Sequence, residues 1–189
     1  PHRTDKTHFR PHLNQRQSGA PTFGAFIPMI SKTIILAALA AIAATPIFAQ
    51  ETRPFTDDAG RTVEVPAAPQ RIVTLHDSSL TVPLVELGIL PVGAFGREGD
   101  AGPYMRGAAT LTGVTFANSG IANIGGSPAD LEAIAALEPD LIITAAFQQT
   151  PLEGLETIAP TVVVEDNMRG ELATFEDIAD LTGTQDRLD

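Results

Sequence analysis

Short apolar runs alternate with amphipathic stretches along the chain beyond residue 50. The apolar runs are rich in β-branched residues and bounded by turn residues, which is typical of strands buried on both faces of a parallel sheet. The predicted strands are residues 71–75, 92–95, 121–124, 141–144 and 161–164. Stretches with helical spacing follow at residues 80–87, 129–137, 152–158 and 174–181. This alternation predicts an α/β fold with a doubly wound, mostly parallel sheet, whose ligands bind beyond the carboxyl ends of the strands.

Turn residues predict a hairpin before the first of these strands. Within residues 55–65, the cluster Asp57-Asp58-Ala59-Gly60 separates two short extended pieces. A glycine-rich loop is expected at residues 96–107, and no element is assigned from there to residue 118.

Cap residues predict where two helices begin. Ser78 and Ser79 are the predicted N-caps of the helix at residues 80–87, and Gly88 is its predicted end. Ser127 is the predicted cap of the helix at residues 129–137, with Pro128 in its first turn.

Residues 29–49, MISKTIILAALAAIAATPIFA, have the pattern of a secretory signal peptide. Lys32 precedes an apolar run at residues 33–44, and the segment ends on the small residue Ala49. The run is shorter than the roughly 20 residues that a membrane span needs, so a transmembrane anchor is the less favoured alternative. We expect cleavage after Ala49 and export to a periplasm. Residues 1–28 precede this apparent start and are expected to lie outside the native fold.

Charge and cysteine content narrow the possible partners. Removal of residues 1–49 leaves 7 basic and 22 acidic residues, a net charge of −15, with no lysine. Such a surface repels nucleic acid and anionic lipid, so neither is an expected partner. The chain has no cysteine, which excludes disulfides and an acylated first residue. The expected mature product is therefore not anchored by a lipid and depends on a packed core. We also expect it to be a monomer.

Three segments carry a resemblance to a known family: FTDDAGRTVEVPAAPQRIVTL, LVELGILPVGAF and IGGSPADLEAIAALEPDLIIT. The third joins a loop, a helix with an acidic first turn and a Pro-Asp-Leu-Ile strand entry. On these segments the chain resembles, from about residue 55 to 189, the N-terminal lobe of the periplasmic binding proteins that serve ABC importers of iron-siderophores, haem and cobalamin. The resemblance implies a Rossmann-like ligand-binding lobe at residues 50–183. It also implies that residues 184–189 start a long helix leading to a C-terminal lobe, which is missing here.

In such proteins the ligand sits between two lobes. The chain is therefore expected to be a truncated product or an incomplete sequence. One open alternative is that it has the fold of a receptor but binds nothing, because a single lobe supplies one side of the cleft.

Candidate ligand-binding residues follow the predicted strands. The resemblance places a ligand-contacting loop at His76, whose neighbours are Asp77 and Ser78. The alternative for His76 is a polar residue that satisfies the turn. The remaining candidates are Arg97, Tyr104, Arg106, Phe147 and Gln148.

These later candidates divide by chemistry. The guanidinium groups of Arg97 and Arg106 have the geometry to pair with an anionic ferric chelate, although loop arginines are more often plain surface residues. Tyr104 lies in the same loop. Phe147 and Gln148 offer an apolar wall and a hydrogen-bond donor, and the alternative for Phe147 is ordinary packing.

Glu132 is singled out by the resemblance alone. It matches the glutamate through which the N-terminal lobe of the family docks on an arginine pocket of the ABC permease in the inner membrane. The alternative is a solvated carboxylate that favours the start of its helix.

The expected cargo is a ferric siderophore, with iron carried inside the chelate and no resident cofactor. Haem and cobalamin are the alternative cargoes within the family. Haem is considered because Tyr104 or His76 has the chemistry of an axial ligand to its iron. A bare metal ion would need several converging ligands, and the mature chain has one histidine.

An α/β enzyme is the alternative from another class, and the sequence does not support it. The glycines Gly93, Gly96 and Gly99 are spaced GxxGxxG, not GxGxxG. The chain also lacks a Gly-x-Ser-x-Gly elbow, a P-loop and a thiol nucleophile. The expected function is therefore transport and not catalysis.

Overall fold

A hairpin opens the part of the chain that the computed structural model describes, which is residues 50–165 and 170–188. Strands β1 (Thr52–Thr56) and β2 (Thr62–Pro66) pair antiparallel, with Phe55 opposite Val63. The turn between them holds Gly60 at φ +73°, a left-handed conformation that suits glycine. The predicted hairpin is confirmed.

The central element is a parallel sheet of five short strands. In chain order these are β3 (Ile72–Thr74), β4 (Gly93–Ala94), β5 (Ala122–Asn123), β6 (Leu141–Thr144) and β7 (Thr161–Val163). Their order across the sheet is β5-β4-β3-β6-β7, and each neighbouring pair is parallel. Every residue of β3, β6 and β7 is buried, as the β-branched runs predict. The predicted α/β class with a parallel sheet is confirmed.

Helices connect the strands. A π-helical turn at Asp77–Thr81 leads directly into α1 (Val82–Glu86). The other α-helices are α2 (Ala108–Thr112), α3 (Phe116–Ser119), α4 (Leu131–Ala136), α5 (Leu152–Glu156) and α6 (Glu171–Thr182). Sequence pattern missed α2 and α3, and it placed the start of α6 three residues late.

The predicted caps of the first helical segment are wrong. His76 is the N-cap: its backbone is extended, at φ −150° and ψ 135°, and its side chain accepts a hydrogen bond from the amide of Ser79. Ser78 and Ser79 already lie inside the helical turn. The predicted end at Gly88 is confirmed, since this glycine has φ +77° and its amide donates to the carbonyl of Val85.

The predicted cap of the later helix is also wrong. Asp130, and not Ser127, is the N-cap of α4, and its carboxylate accepts from the amides of Glu132 and Ala133. The hydroxyl of Ser127 instead accepts from the amide of Gln149, which ties two loops at the carboxyl edge of the sheet.

Two main hydrophobic clusters lie on the two faces of the sheet. One joins Ile72, Ile143 and Val162 to Leu84 of α1 and Ile178 of α6. The other joins residues of the sheet and its loops to α4 and α5, and its members include Val73, Ile142, Ile134 and Leu155. The alternation of neighbouring residues such as Ile142 and Ile143 between the two clusters is the period-two pattern of a strand covered on both faces.

Several predictions fall outside or at the edge of the described residues. The signal peptide at 29–49 and the preceding residues 1–28 lie outside them. Within the described ranges, no helix has the length and apolar character needed to cross a bilayer. A 3₁₀ turn occupies Gln185–Arg187, and its assignment to the start of an interlobe helix stays a prediction.

Candidate ligand-binding site

The strand order reverses between β3 and β6, and this point defines the candidate site. From β3 the chain moves outward to β4 and β5, then crosses back to place β6 on the other side of β3. In doubly wound sheets the loops diverge at such a point and leave a crevice beyond the carboxyl ends of the strands. The predicted site residues lie in the loops that follow three of these strands: positions 76–78 after β3, positions 97, 104 and 106 after β4, and positions 147–148 after β6.

A buried carboxylate organises this edge. The side chain of Asp77 has no exposed surface. It accepts from Arg97 Nε at 2.6 Å and Arg97 Nη2 at 3.3 Å, from the amide of Arg106 at 2.9 Å, and from the amide of Ser78 at 2.9 Å. Asp77 thus joins the end of β3 to both ends of the loop after β4.

The ionisation of Asp77 is fixed by these partners. Burial on its own raises the pKa of the carboxyl. The hydrogen bonds from Arg97 and from the amides of Arg106 and Ser78, together with the charge of Arg97, outweigh burial and hold the pKa below its ordinary value. The hydrogen bond to Asp77 likewise raises the pKa of Arg97. Both groups are therefore charged at neutral pH.

Arg106 is the more exposed of the two arginines. Its side chain is 55% exposed, against 33% for that of Arg97. Arg106 Nη2 donates to Ser78 Oγ at 2.7 Å and lies 3.8 Å from Asp77 Oδ1. We call Asp77, Ser78, Arg97 and Arg106 the arginine cluster. Two arginines share one carboxylate in it, so its formal charge is +1 on a chain whose net charge is −11.

The glycine-rich loop presents Tyr104 beside the arginine cluster. Arg97 and Tyr104 form an antiparallel bridge, in which each amide donates to the carbonyl of the other at 2.8 and 2.9 Å. The Tyr104 side chain is left exposed, at 48% of its surface. Beneath the loop, the guanidinium carbon of Arg97 lies 5.2 Å from the ring centre of Phe95, within the range of a cation–π contact.

His76 and Phe147 meet where the two halves of the sheet adjoin. Their ring centres are 5.0 Å apart with planes at 87°, an edge-to-face contact. His76 is buried, and its Nδ1 accepts from the amide of Ser79 and also contacts Ser79 Oγ. Phe147 stays 47% exposed. Next to it, Gln148 Nε2 donates to the carbonyl of Leu75, which holds the loop after β6 against the end of β3.

The structure brings most of the predicted site residues together but gives them different surroundings. Arg106, Tyr104 and Phe147 are exposed at this edge, and Arg97 is partly exposed. Asp77 and His76 are buried behind them: Asp77 binds Arg97 and the amide of Arg106, and His76 contacts the ring of Phe147. Sequence reasoning missed Phe95, which looked like an ordinary strand residue, and the pairing of Asp77 with Arg97. The signal for that pairing was opposite charges just after two adjacent parallel strands.

Glu132 does not belong to the arginine cluster. It is exposed in the first turn of α4, and its amide donates to the cap Asp130. Nothing in the described residues tests its predicted docking role, which stays a prediction.

The exposed side chains at this edge are cationic and aromatic. Among residues 50–165 and 170–188, no group of three or more His, Cys, Asp or Glu side chains is placed to hold a metal. Exposed guanidinium groups beside exposed aromatic rings offer charged hydrogen-bond donors and apolar surface to the same ligand.

Comparison with known proteins gives matches in both sequence and fold. The chain is 32% identical over 125 residues to the iron(3+)-hydroxamate-binding protein FhuD of Bacillus subtilis, a match that covers 66% of this chain and 36% of that protein. It is 35% identical over 121 residues to the probable siderophore-binding lipoprotein YfiY of the same organism, covering 63% and 35%. No family model matches the chain.

The fold matches that of Staphylococcus aureus SirA, solved in complex with staphyloferrin B. The TM-score is 0.59 at 26% identity, over 72% of this chain and 44% of SirA. In sequence, the chain spans about a third of the length of the curated relatives it matches.

Proposed function

We propose a function that rests on the relationship of the chain, in sequence and fold, to the siderophore-binding proteins of ABC importers. This relationship confirms the resemblance found in its sequence. The named relatives are an iron(3+)-hydroxamate-binding protein, a probable siderophore-binding lipoprotein and a protein solved with staphyloferrin B. On this basis the chain is the siderophore-binding component of an iron-uptake system, or its N-terminal lobe. It works outside the cytoplasm and captures a ferric siderophore for an ABC permease.

The arginine cluster is the observation that carries this proposal. A ferric siderophore presents oxygen atoms around its iron, and those atoms accept charge-assisted hydrogen bonds from guanidinium groups. Arg97 is held by the buried carboxylate of Asp77, and Arg106 by the hydroxyl of Ser78. Binding therefore costs little side-chain entropy, because both arginines are already positioned.

The aromatic residues supply the apolar part of the site. Tyr104 and Phe147 are each about half exposed, on the loops that follow β4 and β6. In the proposal, their rings contact the organic frame of the chelate. His76 and Gln148 act from behind: His76 supports the ring of Phe147, and Gln148 anchors its loop through the carbonyl of Leu75.

Haem, the other cargo considered, draws less support from this geometry. An axial ligand needs a ring nitrogen or phenol oxygen with open access to iron. His76 is 8% exposed and its Nδ1 already accepts from Ser79, which leaves the exposed Tyr104 as the accessible candidate for an axial ligand.

Delivery completes the proposed function. By family relationship, Glu132 is the residue through which this lobe contacts the permease, and its exposure at the start of α4 is compatible with a docking surface. The proposed location is the periplasm, with export directed by residues 29–49.

The test is a calorimetric titration of the full chain with ferric siderophores of the hydroxamate, catecholate and carboxylate classes, with haem and cobalamin in parallel. The proposal expects saturable binding of at least one ferric siderophore, weakened in Arg106→Gln. Arg53→Gln is the matched control, because Arg53 pairs with Asp180 outside the arginine cluster. Absence of binding by every siderophore, or binding of haem alone, contradicts the proposal.

A further inference from the structure

A groove adjoins the arginine cluster on the side of α1 and α6. Its volume is about 330 Å³. The π-helical turn and α1 form one wall, α2 contributes Leu111, and the first turns of α6 form the other wall. The residues that line it are Ser78, Ser79, Val82, Pro83, Glu86, Leu111, Thr174 and Phe175.

Ser78 connects this groove to the proposed siderophore site. Its hydroxyl accepts from Arg106 Nη2 at 2.7 Å, and the same residue lines the groove. A ligand held by Arg106 therefore has direct access to the groove.

The groove contains a buried hydroxyl that has no hydrogen-bond partner among the described residues. Thr174 is 2% exposed, and its Oγ1 makes no hydrogen bond in the described part of the chain. A buried hydroxyl left unpaired costs free energy, typically about 1–3 kcal/mol, so such groups are normally satisfied. Since Thr174 lines the groove, a polar group on a bound ligand is a suitable partner.

The groove also contains a carboxylate that has no ion-pair partner within residues 50–165 and 170–188. Glu86, the last residue of α1, is exposed and forms no hydrogen bond or salt bridge through its side chain with any residue of the described ranges. The apolar surface of the groove comes mainly from the exposed side chain of Leu111 and the partly exposed ring of Phe175, since Val82 and Pro83 are buried.

We propose that this groove is a subsite for an aliphatic arm of the siderophore that ends in a primary ammonium group. The methylene chain of the arm lies against Leu111 and Phe175, and the ammonium group pairs with Glu86. A shift of the α6 wall on binding lets the buried hydroxyl of Thr174 accept a hydrogen bond from a donor on the arm. This subsite rests on the proposed function and specifies its ligand: a linear chelate with oxygen ligands near Arg106 and a cationic end.

The test compares two ferric chelates that differ in one group. A linear trihydroxamate chelate with a terminal primary amine is titrated into the full chain by calorimetry, beside the same chelate with that amine acetylated. The subsite predicts that the amine form binds about three- to fivefold more tightly at low salt, the range of an exposed ion pair. Glu86→Gln is expected to abolish this preference. Glu153→Gln, which changes an exposed carboxylate outside the groove, is expected to preserve it.

The outcomes separate the subsite from the function on which it depends. Equal affinity for the two chelates, or a preference that survives Glu86→Gln, overturns the subsite and leaves siderophore binding intact. Failure of both chelates and of all other siderophores to bind overturns the proposed function, and the subsite with it. An additional Thr174→Val variant should weaken binding of both chelates alike, because its hydroxyl contacts the arm and not the terminal charge.

Discussion

Arg97 donates through Nε and Nη2 to the carboxylate of Asp77, a residue 20 positions earlier whose side chain has no exposed surface. This contact joins the end of β3 to the loop after β4. It also leaves Arg106 as the more exposed of the two positive charges at the proposed siderophore site. Asp77 is thus a positioning residue, whereas Arg106 is available to the ligand.

Replacing Asp77 with asparagine is expected to lower the free energy of unfolding by about 1–3 kcal/mol. The side chain of asparagine is uncharged and cannot form an ion pair with Arg97. Removing one partner of a fully buried ion pair would cost more than about 1–3 kcal/mol. The partial exposure of Arg97 reduces the loss through solvent screening. Urea denaturation measures the change. Asp186→Asn, at an exposed carboxylate in the 3₁₀ turn, is the control, and an equal loss in both variants contradicts the role given to Asp77.

The stability of the protein should decrease in acid through the same carboxylate. The pKa of Asp77 in the folded protein lies below the ordinary value of 3.8, so the unfolded chain binds its proton first. The stabilisation is complete above pH 3.8 and is lost as the pH falls through the lower folded-state pKa. Urea denaturation is measured from pH 6 downward in steps of about half a pH unit. The free energy of unfolding should fall more steeply for the wild type than for Asp77→Asn. The same dependence of the free energy of unfolding on pH in both proteins would exclude Asp77 as the source of the acid sensitivity.

Arg106→Gln and Arg97→Gln should separate binding from stability. Arg106→Gln is expected to weaken the binding of a ferric siderophore by up to about tenfold, the value of one charge-assisted hydrogen bond, without a change in unfolding. Arg97→Gln should weaken binding and also destabilise the fold, because it leaves Asp77 buried without its main partner. Calorimetry and urea denaturation on the same preparations check both. An Arg106→Gln variant that unfolds as readily as Arg97→Gln would contradict this division.

The correction of the α4 cap leads to a further prediction. Asp130→Ala should destabilise the protein by about 0.5–2 kcal/mol, because the amides of Glu132 and Ala133 lose their acceptor. Ser127→Ala should cost less, since its hydroxyl accepts one amide hydrogen bond at an exposed loop. Thermal unfolding of the two variants compares the costs. A larger effect at Ser127 would restore the sequence-based assignment of the cap.

The strands were predictable because their signal is local. Residues such as Ile142 and Ile143 are buried on opposite faces of the sheet, and a β-branched run bounded by turn residues has few other stable arrangements. The caps were not predictable in the same way. The cap of a helix is the residue at which the extended backbone ends. Among the neighbouring polar residues 76–79 that residue is His76, and the sequence alone does not show this. Helix α2 was missed because its sequence, AATLT, shows no clear division into an apolar and a polar face.

The residue types of the site were predictable, but their orientation was not. Polar and aromatic residues after parallel strands indicated a binding edge, and the strand order places them there. Whether a carboxylate at a strand end faces solvent or the protein depends on distant partners. For Asp77 these partners are Arg97 and the amide of Arg106, which the fold brings together across 20 and 29 residues.

The most direct measurement of siderophore binding at the arginine cluster uses the fluorescence of Tyr104. The chain has one tyrosine and no tryptophan, so this side chain, 48% exposed beside Arg97, reports on the site alone. Ferric siderophore should quench it in a saturable manner, with free tyrosine at equal absorbance as the control for light absorption by the chelate. The account predicts saturable quenching that shifts to higher concentration in Arg106→Gln. Quenching that follows the free-tyrosine control, or an identical curve for Arg106→Gln, would contradict it.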